Sequence, residues 1–511
     1  MPGSGKQEMK FMRRFILMVW VFAISACNAS TPAPRPVHPN IVFILTDDMA
    51  ASDLAFMPQT KKLIEKQGAA FDKFFVSISL CCPSRTSILR GQYGHNTKIV
   101  DNELPGGGFE KVYKLGLEKD MFPVWLSQAG YRTGMFGKYL NYYPYPADKT
   151  YIPPGWTDWY SPVDGDAYTE FNYTLNENGK LVEYGNTAED YGTDVYGAKA
   201  MQFIQDSAAE NQPFFAYVAP YAPHKPSAPA PRHAGMYSSL ALPRPPSFNE
   251  NDLRDKLKTF LWKPRLTDEQ ISAYQDQFRL RMESLQAVDE MVANIVSTLD
   301  SLGKMDNTYI FFTSDNGYHL GEHRLPPGKN TPYEEDIRVP LLVRGPGIKA
   351  GSHIQQLSGN IDLASTFADL AGATIPDFVD GRSLVPLLFR EPVSQWRHAY
   401  LLERGLRPDT GESSDTDQNK PTTDAITSLL ETPDSPFDQV PLIYIGLRTD
   451  DYTYIEVNNG VVQIYDLHKD PYEMENFAAT ADPALLERLH NLLSKLKDCA
   501  GAACRVIDEA Q

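Results

Sequence analysis

Asn40 leads into Ile41-Val42-Phe43-Ile44-Leu45, an unbroken apolar run rich in branched side chains, and the run stops at Thr46-Asp47-Asp48. A strand with one wet face alternates polar and apolar residues. A run without alternation has to be covered on both faces, which is the pattern of a strand inside a parallel sheet. Two later segments behave the same way. Thr308-Tyr309-Ile310-Phe311-Phe312-Thr313 ends at Ser314-Asp315-Asn316-Gly317, and Phe214 to Val218 is followed by Ala222-Pro223-His224. Helical segments alternate with these strands, the clearest spanning about Asp268 to Leu302. There Thr267 and Gln270 form a capping box, Leu285, Val288, Val292, Ile295 and Leu299 make one apolar stripe, and Gly303 stops the helix. The alternation predicts an α/β fold, a large and mostly parallel sheet flanked by helices. Ligands of such sheets bind at the carboxyl ends of the strands, and three strand ends here deliver Asp, Asn and His.

The 511 residues are enough for two or three domains. We expect a main domain over 39–390 and a smaller C-terminal α+β domain over 391–511, built on an antiparallel sheet. In the latter, Leu442–Leu447, Tyr452–Val457 and Val461–Tyr465 read as strands, Asn459-Gly460 as a hairpin turn, and Pro483 to Lys497 as a helix. A stretch of Asp, Ser, Thr, Pro and Gly at about 405–436 reads as a polar insertion or linker. Lys and Arg number 48 against 65 Asp and Glu, a formal charge of −17. A nucleic-acid binder carries the opposite excess, so that class is excluded and an anionic substrate needs a local basic cluster.

Residues 1–26 read as an export signal. Lys6, Lys10, Arg13 and Arg14 precede a short apolar run, Phe15 to Ile24, that is too short to span a bilayer. It ends at Ile24-Ser25-Ala26-Cys27, which resembles a bacterial lipoprotein cleavage box with Cys27 as the lipidated residue and 27–38 as a tether. Plain secretion with an incidental Cys27 is the other reading. Either way we expect an exported protein: in the first reading it sits in a bacterial envelope and touches the membrane only through its lipid anchor, in the second it is secreted.

The densest chemistry lies in Leu80-Cys81-Cys82-Pro83-Ser84-Arg85-Thr86-Ser87-Ile88-Leu89-Arg90-Gly91. Pro83 and Ser84 favour a helix start, so the cysteines sit near the positive end of a helix dipole with Arg85 beside them. That setting suits a reactive thiol or an anion site, though a bare Cys-Cys pair fits two buried structural cysteines beside a turn better. The residues that follow decide between them. Cys81-x-Pro83-Ser84-Arg85 resembles the sulfatase signature, whose first cysteine is oxidised to formylglycine by a maturation enzyme. Thr46-Asp47-Asp48, Gly137-Lys138, Ala222-Pro223-His224, Ser314-Asp315-Asn316-Gly317-Tyr318-His319, Leu325-Pro326-Pro327-Gly328-Lys329 and Val339-Pro340-Leu341-Leu342-Val343-Arg344-Gly345-Pro346-Gly347 occur in the order seen in that family. The resemblance covers about Pro39 to Ala478 and is strongest to the N-acetylglucosamine-6-sulfatase and heparan endosulfatase branch, on the Cys-Cys pair, Gly137-Lys138-Tyr139-Leu140-Asn141 and Asn307-Thr308-Tyr309-Ile310-Phe311.

The resemblance implies an alkaline-phosphatase-like fold and a catalytic domain over 39–390. It implies that Asp47, Asp48, Asp315 and Asn316, together with the residue at Cys81, hold one divalent cation. All-oxygen ligands with three carboxylates suit calcium, with magnesium second. It further implies that hydrated formylglycine from Cys81 attacks the sulfur, and that its second hydroxyl lets the intermediate collapse. Arg85, Lys138 and Lys329 would stabilise the charge that develops, and His224 would protonate the leaving oxygen. Lys138, Asn141, His224 and Lys329 would contact substrate, a sulfated saccharide. Many family members carry a histidine two residues after the Gly-Lys lysine, where this chain has Leu140. The base of the second step is therefore open, with His95 and His319 as candidates. In an exported protein Cys499 and Cys504 read as a local disulfide. Two alternatives stand beside the glycan 6-sulfatase reading. One is an aryl or choline sulfatase, or a phosphonate monoester hydrolase, of the same fold; the other is a surface lipoprotein that binds sulfated glycan without cleaving it.

Overall fold

In the computed structural model, Ile41, Phe43 and Leu45 point into one apolar core and Val42 and Ile44 into another. This two-sided burial accounts for the unbroken run. The structure describes residues 36–256, 263–404, 444–457 and 460–509. The signal segment, Cys27, the polar insertion at 405–436, Leu442 and Asn459 lie outside the described residues.

In chain order the strands are β1 (Asn40–Thr46), β2 (Ala69–Phe71), β3 (Phe74–Phe75), β4 (Arg132–Gly137), β5 (Asp158–Gly165), β6 (Tyr173–Glu177), β7 (Lys180–Tyr184) and β8 (Phe214–Ala219). Then follow β9 (Thr308–Ser314), β10 (Leu341–Arg344), β11 (Ser352–Ile354), β12 (Ser358–Gly359), β13 (Ala399–Arg404), β14 (Tyr444–Thr449), β15 (Tyr452–Val457) and β16 (Val462–Asp466). The main sheet has ten strands in the order β11-β2-β10-β9-β1-β8-β4-β5-β6-β7. Its middle, β9-β1-β8-β4-β5, is parallel throughout. Antiparallel pairs at β10–β9, β10–β2, β5–β6 and β6–β7 extend it on both sides.

Helices cover both faces, as the α/β expectation requires. Asp268–Ser301 is capped by Thr267 and Gln270 and packs its Leu285, Val288, Val292, Ile295 and Leu299 stripe into the core that holds Val42 and Ile44. Asp362–Ala371 packs Leu363 and Phe367 against Phe43 on the other face. Among the described residues, no helix is long and apolar enough to cross a membrane.

A separate antiparallel sheet, β13-β14-β15-β16, is formed by the C-terminal strands. Helix Pro483–Leu496 covers it with Leu489, Leu493 and Leu496, and the same core takes in Phe75, Tyr93 and Tyr333. Cys499 and Cys504 form a disulfide just after that helix. His95 joins this region to the main sheet's loops. Its Nδ1 pairs with Glu403 at 2.7 Å and its Nε2 with the Cys499 carbonyl at 2.8 Å.

Two predictions follow from this packing. Gly137 ends β4 with φ of 107°, and a Cβ there would lie 2.1 Å from the Ala219 carbonyl oxygen of β8. Gly137→Ala is therefore expected to lower stability by at least about 1–3 kcal/mol in thermal unfolding, and an unchanged Tm would contradict it. Burial lowers the pKa of His95, but the bond to Glu403 outweighs it and raises the group to about 9. Its pairing stabilises fully below the ordinary value of 6.5 and is lost as pH rises through about 9. The Tm gap between wild type and His95→Ala should thus be widest near the low end of that window and close toward its top; a gap that widens with pH would refute the pairing.

Candidate active site

Four neighbouring parallel strands end on one edge, and each hands over part of a single cluster. β9 runs into Asp315 and Asn316, β1 into Asp47 and Asp48, β8 toward the turn carrying His224, and β4 into Lys138. Residues far apart in sequence meet because the strands that deliver them lie side by side. Cys81 joins them from the helix Cys81–Arg90. That helix was expected to begin near Pro83 and Ser84. It begins instead at Cys81, with Leu80 extended before it. Pro83 then falls in the first turn, where its missing N–H leaves no intrahelical bond unmade. The earlier start places Cys81 itself at the positive end of the dipole.

Cys81 is fully buried, with Sγ 3.3 Å from Oδ1 of Asp47 and 3.9 Å from Oδ1 of Asp48. Lys329 Nζ reaches Cys81 Sγ at 2.7 Å and Asp48 Oδ1 at 2.6 Å. Lys138 Nζ donates to Asp47 Oδ2 at 2.5 Å. Arg85 ties two strand ends together, Nε to Asp315 Oδ2 and Nη1 to the Lys138 carbonyl, both at 2.7 Å. Its Nη2 is buried without a hydrogen bond, 3.8 Å from Asp47 Oδ1. His224 donates from Nδ1 to the Lys225 carbonyl at 2.6 Å, which leaves Nε2 3.6 Å from Asp48 Oδ2.

The electrostatics are those of eight ionisable groups largely removed from water. Burial works against the Asp47 carboxylate, but Lys138, His224 and Arg85 outweigh it and hold the group well below the usual range. Burial and the Asp47 charge push Asp315 up to about 7. Burial, then Asp47, push the Cys81 thiol well up, and burial lowers the His224 imidazole. Asp47, Asp48 and Asp315 face Arg85, Lys138 and Lys329, three acids against three cations. A further cation in the group would strengthen its attraction for an added anion.

The side chains suit such a cation. Ligating atoms of Asp47, Asp48, Cys81 and His224 lie within 4.8 Å of one another. Asn316 Nδ2 donates to Asp48 Oδ1 at 2.7 Å, while its Oδ1 is buried and accepts no hydrogen bond. An orphaned amide oxygen beside two carboxylates is what a hard divalent ion would satisfy. Asp315 stands behind this group, with Oδ1 accepting from the Asp48 amide at 3.1 Å. Sequence reasoning did not foresee His224 in the ligand-bearing cluster.

Beside Lys138 opens a cleft of about 360 Å³, walled by Asn141, Tyr142, Tyr145, Asp164 and Tyr168. Tyr168 lies between the cleft and the charged cluster, its ring 4.8 Å from Lys138 Nζ and 4.6 Å from the His224 ring. Nothing local in the sequence marks Tyr168. Arg281 was also missed, although a charge four residues before Leu285 in an apolar stripe is a readable signal. Its guanidinium holds the Asp48 carbonyl at 2.6 Å, the Pro223 carbonyl at 3.3 Å and Asp53 at 2.9 Å. This fixes Asp48 in a left-handed conformation, φ 64°.

Neither candidate for the second-step base shares a hydrogen bond with Cys81, Asp47 or Asp48 among the described residues. Both nitrogens of His95 are engaged toward the C-terminal region, and its raised pKa keeps it protonated at neutral pH. His319 gives Nδ1 to Asp336 at 2.8 Å.

The sulfatase family model matches residues 39–373. Human N-acetylglucosamine-6-sulfatase is 36% identical over 482 residues, covering 92% of this chain and 86% of that protein. An arylsulfatase of Chlamydomonas reinhardtii is 33% identical over 542 residues, covering 96% of this chain and 79% of that one. A protein solved in complex with its substrate, D-glucosamine-2-N,6-O-disulfate, superposes with a TM-score of 0.71 at 26% identity, covering 91% of this chain and 98% of that one. With the signature cysteine, the paired strand-end acids and the three flanking cations gathered at one sheet edge, these likenesses lead to one conclusion: the chain belongs to the sulfatase family.

Proposed function

We propose that this sulfatase removes 6-O-sulfate from N-acetylglucosamine units of sulfated glycans. The observation that carries the reading is the placement of Cys81 among Asp47, Asp48 and Lys329, with an aromatic cleft opening next to Lys138. Human N-acetylglucosamine-6-sulfatase, similar over nearly the whole chain, supports the choice of sugar.

In this reading formylglycine formed from Cys81 would supply the nucleophile, and Asp47, Asp48, Asp315 and Asn316 would hold a calcium ion that would add positive charge beside it. The chain's own side chains do the rest. Lys138, Lys329 and the free Nη2 of Arg85 hold the sulfate oxygens as negative charge grows on them. His224 keeps its ring fixed through the Lys225 carbonyl and directs Nε2 toward the leaving oxygen. Burial lowers its pKa, and a bound sulfate ester raises it again, so protonation accompanies substrate binding. Tyr142, Tyr145, Tyr168 and Asn141 line the cleft that would take the sugar carrying the ester. Residues 1–26 and Cys27 support export with a lipid anchor, and a formylglycine-generating enzyme is the partner the mature site requires.

The arylsulfatase likeness favours a second reading in which the alcohol is aromatic. One assay separates the two. Protein with Cys81 converted, supplied with calcium, is expected to release sulfate from N-acetylglucosamine 6-sulfate in preference to an aryl sulfate. Cys81→Ala should abolish release, and Lys138→Ala should lower kcat/KM by about 10²-fold. Chelation should stop turnover and calcium should restore it. Turnover of the aryl ester alone would support the second reading. Silence on both esters, with conversion of Cys81 shown by mass spectrometry, would contradict both.

A further inference from the structure

We infer that His319 and Asp336 form a positioning pair that sets the reach of Lys329 toward residue 81, so that His319 serves the reaction without taking part in proton transfer. The inference rests on the sulfatase reading of Lys329.

Lys329 sits in a loop without regular structure, yet its ammonium must meet two atoms on two other elements, Asp48 Oδ1 and Cys81 Sγ. A lysine side chain has four rotatable bonds, so placing its tip requires a fixed backbone beneath it. The structure fixes the backbone on both sides. Before it, Gly328 is paired with His319 through both backbone bonds, His319 N–H to the Gly328 carbonyl at 2.8 Å and the reverse at 3.1 Å. After it, the Asn330 carbonyl accepts from Arg404 of β13. Thr331 gives its N–H and hydroxyl to Asp336 Oδ2, at 2.8 and 2.7 Å. The other oxygen of Asp336 accepts from His319 Nδ1 at 2.8 Å.

One buried carboxylate therefore joins the two flanks of Lys329, and His319 is the side chain that closes the loop. Asp336 is 0% exposed and His319 5%, so neither bond competes with water. The same clamp reaches the metal-facing segment. The Asp336 carbonyl accepts from Gly317 at 2.8 Å, directly after Asn316. A Cβ on Gly317 would lie 2.0 Å from the Glu335 carbonyl oxygen, so only glycine permits this approach. Asn316 and Lys329 are thereby held by the two ends of one short hydrogen-bonded unit.

The test exploits the shape of asparagine, whose Nδ2 can replace the Nδ1–H of histidine but cannot transfer a ring proton. His319→Ala should lower kcat/KM by roughly 10²-fold, the scale of a displaced catalytic group. His319→Asn should bring it back close to wild type, and in the Lys329→Ala background His319→Ala should cause no further loss. Crystal structures of the two His319 variants supply a readout that does not depend on turnover. Lys329 Nζ should leave Cys81 in the alanine variant and stay in the asparagine variant. If both variants are equally impaired with Lys329 in place, His319 is the missing base and the inference falls. Losses that multiply in the double variant overturn it as well. A wild-type enzyme silent on every sulfate ester would refute the sulfatase reading, while the position of Lys329 in the crystals would still decide the clamp.

Discussion

Carboxylates withdrawn from water are costly unless each finds a partner, and Asp47, Asp48 and Asp315 are all fully or almost fully buried. Lys138, Lys329 and Arg85 meet them at 2.5, 2.6 and 2.7 Å. This mutual burial explains much else in the molecule. The three cations arrive from β4, from the loop after β9 and from the helix that starts at Cys81, so the charges lock three separate elements onto one sheet edge. The unsatisfied Asn316 oxygen and the reluctance of Asp315 to ionise both point to room for one more positive charge.

The sheet supplies the geometry that this arrangement needs. Parallel neighbours place their carboxyl ends at one level, which is why β9, β1, β8 and β4 deliver site residues to a single edge. Behind that edge stand residues that touch no substrate but fix those that would. Arg281 reaches from the long helix to hold the backbone of Asp48 and Pro223. The C-terminal sheet contributes from the opposite side, through Arg404 to Asn330 and Arg448 to Glu334 at 2.5 Å. Glu473 adds a further tie, accepting from the Glu334 amide at 3.0 Å. A sheet that looks peripheral in sequence is thus connected to the loop carrying Lys329.

How much of this was legible depended on whether the signal was local. The runs at 41–45 and 308–313 are readable because two-sided burial removes alternation, and their terminal acids follow within three residues. The outer strands β6 and β7 are not, because Lys180–Tyr184 is largely exposed and no core dictates its pattern. Pro83 suggested a helix start at its own position, whereas the helix begins two residues earlier and tolerates proline in its first turn. With Leu140 where many family members carry a histidine, His319 reads as one of two candidate bases. Its partner Asp336, 17 residues on, is brought to it by the tertiary fold. Tyr168 is invisible for the same reason, since only folding sets its ring against Lys138 and His224.

Three buried carboxylates facing Arg85, Lys138 and Lys329 make a site that one divalent ion next to residue 81 would complete. The most direct measurement is anomalous diffraction from crystals of the protein loaded with calcium. The expected result is one fully occupied ion contacting Asp47, Asp48, Asp315 and the Oδ1 of Asn316, with the side chain of residue 81 alongside. A well-ordered site without an ion there, Lys138 and Lys329 still seated on Asp47 and Asp48, would contradict it.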